Sequence, residues 1–241
     1  MASVDVSVVV PCYNEAENLP ELVERLQRTF TGGGFAGEIV LVNDGSRDTT
    51  GDVIRELERC HANVVGRQHA TNRGMEAGWN TGVAAARGTY VCLIDADLQY
   101  QPEDVARLHA EIVASGTDVV QGCRITPGSA RDSRYLLSRG LNFILNRTFG
   151  MRLRDNKSGF VLARRETLRH ALEHRRRYRY FQALLLVSAH ANGYAIREVE
   201  TVFAPRRRGR SFMSSLPLKV VAGCLLDVLN GLLEFRLGAR R

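Results

Sequence analysis

The strongest constraint on the fold of this 241-residue chain is its first half, where short β-branched runs alternate with segments of helical periodicity. Residues 6–10 (VSVVV) read as a buried strand. In residues 14–30, Leu19, Leu22, Val23 and Leu26 then recur at helical spacing. The same reading predicts strands over 38–42, 63–67, 89–94 and 118–122, with helices over 52–60, 74–86 and 102–115 between them. Such alternation predicts an α/β fold, a mostly parallel sheet with helices on both faces. Sheets of that kind bind ligands at the carboxyl ends of their strands. The polar clusters of this chain fall at those ends: Tyr13-Asn14-Glu15, Asn43-Asp44-Gly45-Ser46 and Asp95-Ala96-Asp97.

The second half has a different character. Residues 135–149 read as a helix, apolar at Leu136, Leu137, Leu141, Ile144 and Leu145, with a polar stripe at Arg134, Ser138, Asn142 and Asn146. A turn and strand over 155–163, a helix from about Glu166, a helix over 180–192 and a strand over 196–203 follow. A basic loop over 206–211 precedes a final helix over 216–235. The polar positions of that helix (Lys219, Gly223, Asp227, Asn230 and Glu234) form one narrow stripe on an otherwise apolar circumference. No repeat and no low-complexity linker is visible.

Charge divides along the same line. Residues 1–120 carry 9 arginines against 18 acidic residues, whereas residues 121–241 carry 24 basic against 8 acidic ones. An acidic half joined to a half of net charge +16 predicts that the latter faces anions: phosphates, lipid headgroups or nucleic acid. The 5 cysteines are odd in number and scattered, so they favour a reducing compartment over a disulfide framework or zinc site. No basic segment followed by a long apolar run opens the sequence, and no stretch reaches the roughly 18 apolar residues of a spanning helix. The expectation is a cytoplasmic protein, soluble or peripheral to a membrane.

Asp95-x-Asp97, with Gln99 two residues on, closes the apolar strand VCLID. Two carboxylates there need a cation, and hard oxygen donors suit Mg²⁺ or Mn²⁺ carrying a substrate phosphate. A solvated strand-to-loop corner is the plainer reading of the pair. Asn14 reads equally as a helix cap and Asp44-Gly45-Ser46 as a turn. His170 and His174 read as an exposed pair, and Arg175–Arg177 as a solvated turn.

Four segments in order, PCYNEAENL, LVNDGSRDTT, NRGMEAGWNTGVAAARG and DADLQYQPEDV, resemble the successive signatures of family 2 glycosyltransferases with the GT-A fold. Downstream, GCR, SRGLNF, DNKSGF and FAPRRRGRS are similar to the polyprenyl-phosphate sugar synthases of the dolichyl-phosphate mannose synthase group. The resemblance runs from about residue 5 to residue 212. It implies that Pro11, Tyr13 and Glu15 contact the base and ribose of a nucleotide-sugar donor (UDP-, GDP- or dTDP-linked) and that Asp44 recognises the base. Asp95, Asp97 and Gln99 would hold the metal on the donor diphosphate. Arg124, Arg134 and Arg139 would meet a polyprenyl phosphate acceptor, and Arg206 or Arg208, with Ser211, would bind the diphosphate. Asn43 and Phe212 depart from the pattern, which often has Asp and Lys there. The implied reaction inverts the anomeric carbon in one in-line displacement.

The resulting organisation is a catalytic domain over residues 1–212, with a donor and metal half over 1–122 and an acceptor half over 123–212. An amphipathic helix and basic tail occupy 213–241. Two other readings stand beside it. Transfer to a hydroxyl of a soluble acceptor would need a general base, for which Asp155 and Asp132 are candidates. A non-enzymatic nucleic-acid binder would need aromatics interleaved with the basic residues, and only Tyr178, Tyr180 and Phe181 adjoin a basic run. The donor-site acids would repel a polyanion, so no nucleic-acid partner is expected. The final helix, flanked by basic residues, predicts contact with an anionic membrane surface, with a homodimer as the alternative cover for its apolar face.

Overall fold

The computed structural model describes residues 3–125, 133–176, 178–205 and 218–237. Among them, seven strands form one sheet: β1 (Val6–Cys12), β2 (Gly37–Asp44), β3 (Val64–His69), β4 (Tyr90–Leu93), β5 (Val119–Ile125), β6 (Val161–Arg164) and β7 (Ile196–Val202). Their spatial order is β3-β2-β1-β4-β6-β5-β7. Every adjacent pair is parallel except those made by β6, which runs antiparallel to both β4 and β5. The carboxyl ends of the six parallel strands and the start of β6 therefore meet along one edge of the sheet.

The central strands read as unbroken apolar runs because both of their faces are covered. Val6, Val8 and Val10 of β1, Ile39 and Leu41 of β2, and Cys92 of β4 point to one face. That face is packed by α1 (Leu19–Gly33), α2 (Thr50–Cys60) and α4 (Asp104–Ser115). Val9, Val40, Val42, Val91 and Leu93 point to the other. That side is closed by α3 (Met75–Ala85), α6 (Arg165–Leu172) and α7 (Leu185–Ala191), with Leu145 of α5 (Ser133–Phe149) and Val228 of α8 (Leu218–Gly231) completing it. The small residues of α3 have a steric cause. A Cβ on Gly82 would stand 2.2 Å from Val9 Cγ1, so glycine lets α3 lie directly on β1.

Four expectations are corrected here. The first helix starts at Leu19 rather than near Asn14, which adopts a left-handed φ of 56° in the preceding loop. The helix expected over 180–192 is a 3₁₀ turn (Phe181–Ala183) followed by α7, because Asp227 of α8 accepts the Arg179 and Tyr180 N–H groups and docks the chain there. The final helix passes into a π-helical turn over Leu232–Leu237. His174 is not an exposed partner of His170: its Nε2 donates to Glu76 Oε1 at 2.6 Å and its ring lies tilted against Phe181, centroids 4.4 Å apart.

At the edge opposite the site, Glu38 is fully buried and accepts from Ser7 Oγ at 2.5 Å, Arg87 N at 2.5 Å and Arg87 Nε at 2.8 Å. Burial pushes its carboxyl up, but these hydrogen bonds and the Arg87 charge together hold it below the ordinary glutamate value. Its contribution is therefore present above the unfolded-state pKa and lost as pH falls through the folded one. Glu38→Gln is expected to lower unfolding stability by about 3 kcal/mol at pH 7. Urea titrations should show the gap between variant and parent narrowing as pH drops below the ordinary glutamate value of 4.5.

Candidate active site

Tyr13, half-exposed at the end of β1, opens a loop stitched to its neighbour after β2. Asn14 N donates to Ser46 Oγ at 3.0 Å, Asn14 Oδ1 accepts from Arg47 N at 2.9 Å, and Glu15 N donates to Thr50 Oγ1 at 2.9 Å. Asn14 is thus a bridge between two loops rather than a helix cap. Glu15 accepts from Asn18 Nδ2 at 2.6 Å, which sets its carboxylate at the head of α1. Pro11 packs under Gly78 of α3, where a Cβ would lie 2.9 Å from the proline ring.

Asp44, 4% exposed at the end of β2, is a hub. Its oxygens accept from His69 Nδ1 at 2.7 Å, Arg73 N at 2.8 Å and Gly74 N at 2.8 Å. A carboxylate only accepts, so His69 carries its proton on Nδ1. Its Nε2 stands 2.8 Å from Thr81 Oγ1 of α3. Gly45 follows with φ 67°, and a Cβ there would come within 2.3 Å of the Thr71 carbonyl carbon. Asp44 therefore positions the 69–74 segment and the start of α3 beside β1, and His69 is a site residue that the motif reading passed over. It closes a short strand and matches none of the motifs that precede NRG, so the sequence offered no signal for it.

Asp95 and Asp97 follow β4 on a turn that places the buried Leu98 at φ 59°, a left-handed conformation uncommon for an apolar residue. The turn lets Gln99 N donate to Asp97 Oδ1 at 3.1 Å. Gln99 was expected on a metal; here its Nε2 donates to the Ala204 carbonyl at 3.1 Å, and Ala204 N donates back to the Gln99 carbonyl at 2.8 Å. Tyr100 packs between Phe160 and Phe203, ring centroids 5.1 and 4.9 Å away. The Asp-x-Asp turn is thereby strapped to the end of β7. Among the described residues no group of three or more His, Cys, Asp or Glu could cage a metal alone. Two hard carboxylates, with the Gln99 side-chain oxygen two residues on, fit a divalent cation such as Mg²⁺, which typically takes one or two carboxylates plus substrate phosphates.

Beside that turn, Arg124 at the end of β5 pairs with Asp155, Nε to Oδ2 at 2.6 Å and Nη2 to Oδ1 at 2.8 Å, with its guanidinium 5.3 Å from the Phe203 ring centre. Burial pushes the Asp155 carboxyl up, yet the Arg124 hydrogen bonds and charge hold it below the usual carboxylate range. A base so stabilised as the anion, with both oxygens occupied, is a poor proton acceptor. Ser158 Oγ donates to the Gly122 carbonyl at 2.6 Å and lies 2.9 Å from Tyr100 Oη, so the SGF segment is tied to β5 and to the Asp-x-Asp turn together.

The polar stripe of α5 faces the protein. Asn142 and Asn146 Nδ2 donate to the Leu153 carbonyl at 2.9 and 2.8 Å, and Lys157 Nζ donates to the Ser138 carbonyl at 3.0 Å. Arg139 is exposed on the same helix. The side chain of Arg134 lies outside the described residues, as do Asp132, Arg206, Arg208 and Ser211. Lys157, within the DNKSGF segment, is one of only two lysines in the chain.

A mostly parallel sheet carrying an Asp-x-Asp turn at its carboxyl edge, with one antiparallel strand set into it, is the GT-A architecture of nucleotide-sugar glycosyltransferases. The chain belongs to Glycosyl transferase family 2, whose sequence profile matches residues 7–172. The glucosyl-3-phosphoglycerate synthase of Mycobacterium tuberculosis, solved with Mn²⁺ and UDP, superposes with a TM-score of 0.68 at 20% identity, covering 95% of this chain and 79% of that one. A Pyrobaculum calidifontis mannosyltransferase solved with GDP-Man and Mn²⁺ gives 0.63 at 19% identity, covering 87% and 59%. In sequence, the undecaprenyl-phosphate 4-deoxy-4-formamido-L-arabinose transferase of Pseudomonas paraeruginosa is 36% identical over 218 residues, 88% of this chain and 61% of the relative. Its counterpart in Pectobacterium carotovorum is 32% identical over 223 residues, 89% and 64%. The chain thus spans about three-fifths of the length of these curated relatives.

Asp44→Asn tests the hub. An amide presents an NH₂ toward donors that the carboxylate satisfies, so thermal unfolding should show a loss of about 2 kcal/mol. Isothermal titration should show weakened nucleotide-sugar binding, because the 69–74 segment would lose its anchor.

Proposed function

We propose that this chain is a divalent-metal-dependent, inverting glycosyltransferase that moves a sugar from a UDP-, GDP- or dTDP-linked donor to a polyprenyl phosphate of the dolichyl or undecaprenyl type. The observation that carries the reading is the neighbourhood of Asp95 and Arg124. A carboxylate turn suited to a donor metal lies close enough to interact electrostatically with Arg124, itself anchored to Asp155. The names of the curated relatives, undecaprenyl-phosphate sugar transferases, support the acceptor class.

Asp95 and Asp97 would hold Mg²⁺ or Mn²⁺, with the Gln99 carbonyl oxygen of the side chain as a further donor. The bound metal supplies positive charge to the leaving diphosphate. Arg206 or Arg208, with Ser211, add charge on the same side, while Pro11, Tyr13 and Glu15 bracket the nucleoside and Asp44 holds the wall behind the base. Arg124, Arg134 and Arg139 orient the acceptor phosphate. A phosphate monoester is already anionic near neutral pH, so no side chain has to remove a proton and positioning suffices. The attacking oxygen forms its bond to the anomeric carbon as the bond to the diphosphate breaks, inverting that centre. A hydroxyl acceptor would need a base, and the held-down Asp155 argues against that alternative.

The acceptor's lipid tail needs a surface, and α8 supports one. Asp227 of α8 takes the Arg179 and Tyr180 N–H groups, and Glu234 of the π-helical turn that follows takes those of Arg175 and Arg176 and the Tyr178 hydroxyl. Leu225, Leu226, Leu229 and Leu233 are left 42–62% exposed, alongside Phe143 of α5 at 69%. Among the described residues no helix is long and apolar enough to cross a membrane. An apolar face flanked in sequence by Lys219, Arg236, Arg240 and Arg241 suits the cytoplasmic face of an anionic bilayer.

Incubated with undecaprenyl phosphate and a panel of labelled nucleotide sugars, the protein is expected to carry label into an organic extract in a Mg²⁺- or Mn²⁺-dependent way. Asp97→Ala should cut that transfer by at least about 100-fold; turnover that persists in the variant with chelator present would sink the metal-dependent reading. Leu226→Glu combined with Leu229→Glu should abolish sedimentation with anionic vesicles at low salt. A parent protein that ignores such vesicles and elutes as a dimer would instead assign the leucine face to a second copy.

A further inference from the structure

Lys157 has no part in the mechanism above, yet it is one of the more unusual groups in the molecule. Its side chain is 18% exposed, its Nζ donates to the Ser138 carbonyl of α5 at 3.0 Å, and it stands 3.9 Å from Asp155 Oδ1. Arg124 already takes both oxygens of that carboxylate at 2.6 and 2.8 Å. Among the described residues, two cations therefore share this one carboxylate as their ion-pair partner in a poorly hydrated place. Asp95 also interacts with Arg124, but its charge is the one a donor metal would take up. Burial pulls the Lys157 amine below the ordinary lysine value and Arg124 repels it further, while Asp155 only partly offsets this. Desolvated charge of this kind is unfavourable unless an anion completes it. The carbonyl of Ser138 is a neutral partner that a charged oxygen can displace.

We propose that Lys157 is an acceptor-binding residue, whose ammonium leaves the Ser138 carbonyl for a phosphate oxygen of the incoming polyprenyl phosphate. The inference rests on the acceptor assignment made above and adds to it a residue and a consequence. Ser138 adjoins Arg139 on α5, and Lys157 is the link between that helix and the 155–158 turn. The phosphate would thus be gripped by Arg124 from β5 and by Lys157 from the turn. Lysine suits the place because a compact point charge on a flexible stem can change partners, whereas the guanidinium of Arg124 is fixed in a bidentate fork.

The experiment uses the full chain and geranyl phosphate, with geraniol as the uncharged control. Binding is followed by thermal shift and calorimetry in chelator, so that the donor metal plays no part. Turnover is measured separately with metal and nucleotide sugar. For Lys157→Met, the expected result is a tenfold or greater loss of geranyl phosphate affinity and a matching rise in acceptor KM. Donor KM should change less than twofold, and Lys157→Arg should recover part of the loss. Unchanged phosphate affinity in Lys157→Met, or a fall in melting temperature with donor and acceptor KM moving together, would overturn the proposal and leave Lys157 as a tether for α5. Parent protein that fails to bind geranyl phosphate would overturn it as well. Lys157-dependent phosphate binding without transfer to any polyprenyl phosphate would keep the anion site and refute the acceptor reading instead. Should Lys157→Met not fold, Lys157→Gln carries the same comparison.

Discussion

The pairing of Arg124 with Asp155 holds the two halves of the site in register. Strand β6 is the one element that reverses direction between otherwise parallel neighbours, and the chain must turn sharply at residues 155–160 to make it. The turn is pinned to β5 by the bidentate ion pair, by Gln121 Nε2 donating to the Asp155 carbonyl, and by Ser158 Oγ donating to the Gly122 carbonyl. Tyr100 reaches the same serine from the Asp-x-Asp turn. Carboxylates and cations are thereby placed side by side on a frame that neither could build alone. A buried ion pair of this sort contributes little net stability, because desolvation offsets its attraction. Its value here is geometric: it fixes where the remaining positive charge stands.

Opposite charges that lie far apart in sequence meet at this edge. The acidic first half supplies Asp95 and Asp97, and the basic second half supplies Arg124 and Lys157. In the proposed reaction they would address a donor diphosphate through a metal and an acceptor phosphate directly, two anions that would repel one another in water. The strap from Gln99 to Ala204 adds the end of β7 to the same corner, beside the Asp95–Asp97 turn.

The outer helices follow an inverted logic. In α8 and the turn that follows it, polar side chains cap backbone N–H groups of residues 175–180, and the leucines are turned away from the protein. A helix normally buries its apolar face. Here the unsatisfied backbone donors of an irregular segment need partners, and Asp227 and Glu234 provide them; the hydrophobic arc is then presented outward as a consequence.

Much of the fold was legible in the sequence because period-2 and period-3.6 patterns are local. The strands, most helices, the parallel sheet and the placing of Asp95 and Asp97 at its carboxyl edge all follow from spacing along the chain, whereas Arg124 was pointed to by the family resemblance alone. What spacing could not reveal depends on partners distant in sequence. Asn14 looks like a cap until Ser46 and Arg47 are seen beside it, and Asp155 looks like a base until Arg124 occupies it. Lys157 looks like a loop lysine until burial between α5 and the turn sets it beside Arg124 on one carboxylate. His69 carries no signal at all without Asp44 and Thr81. The sequence by itself determined which residues could carry charge and on which strand ends they stand. Only the tertiary structure decided which of those charges are neutralised by one another and which remain to bind a substrate, because that depends on distances and desolvation set by packing.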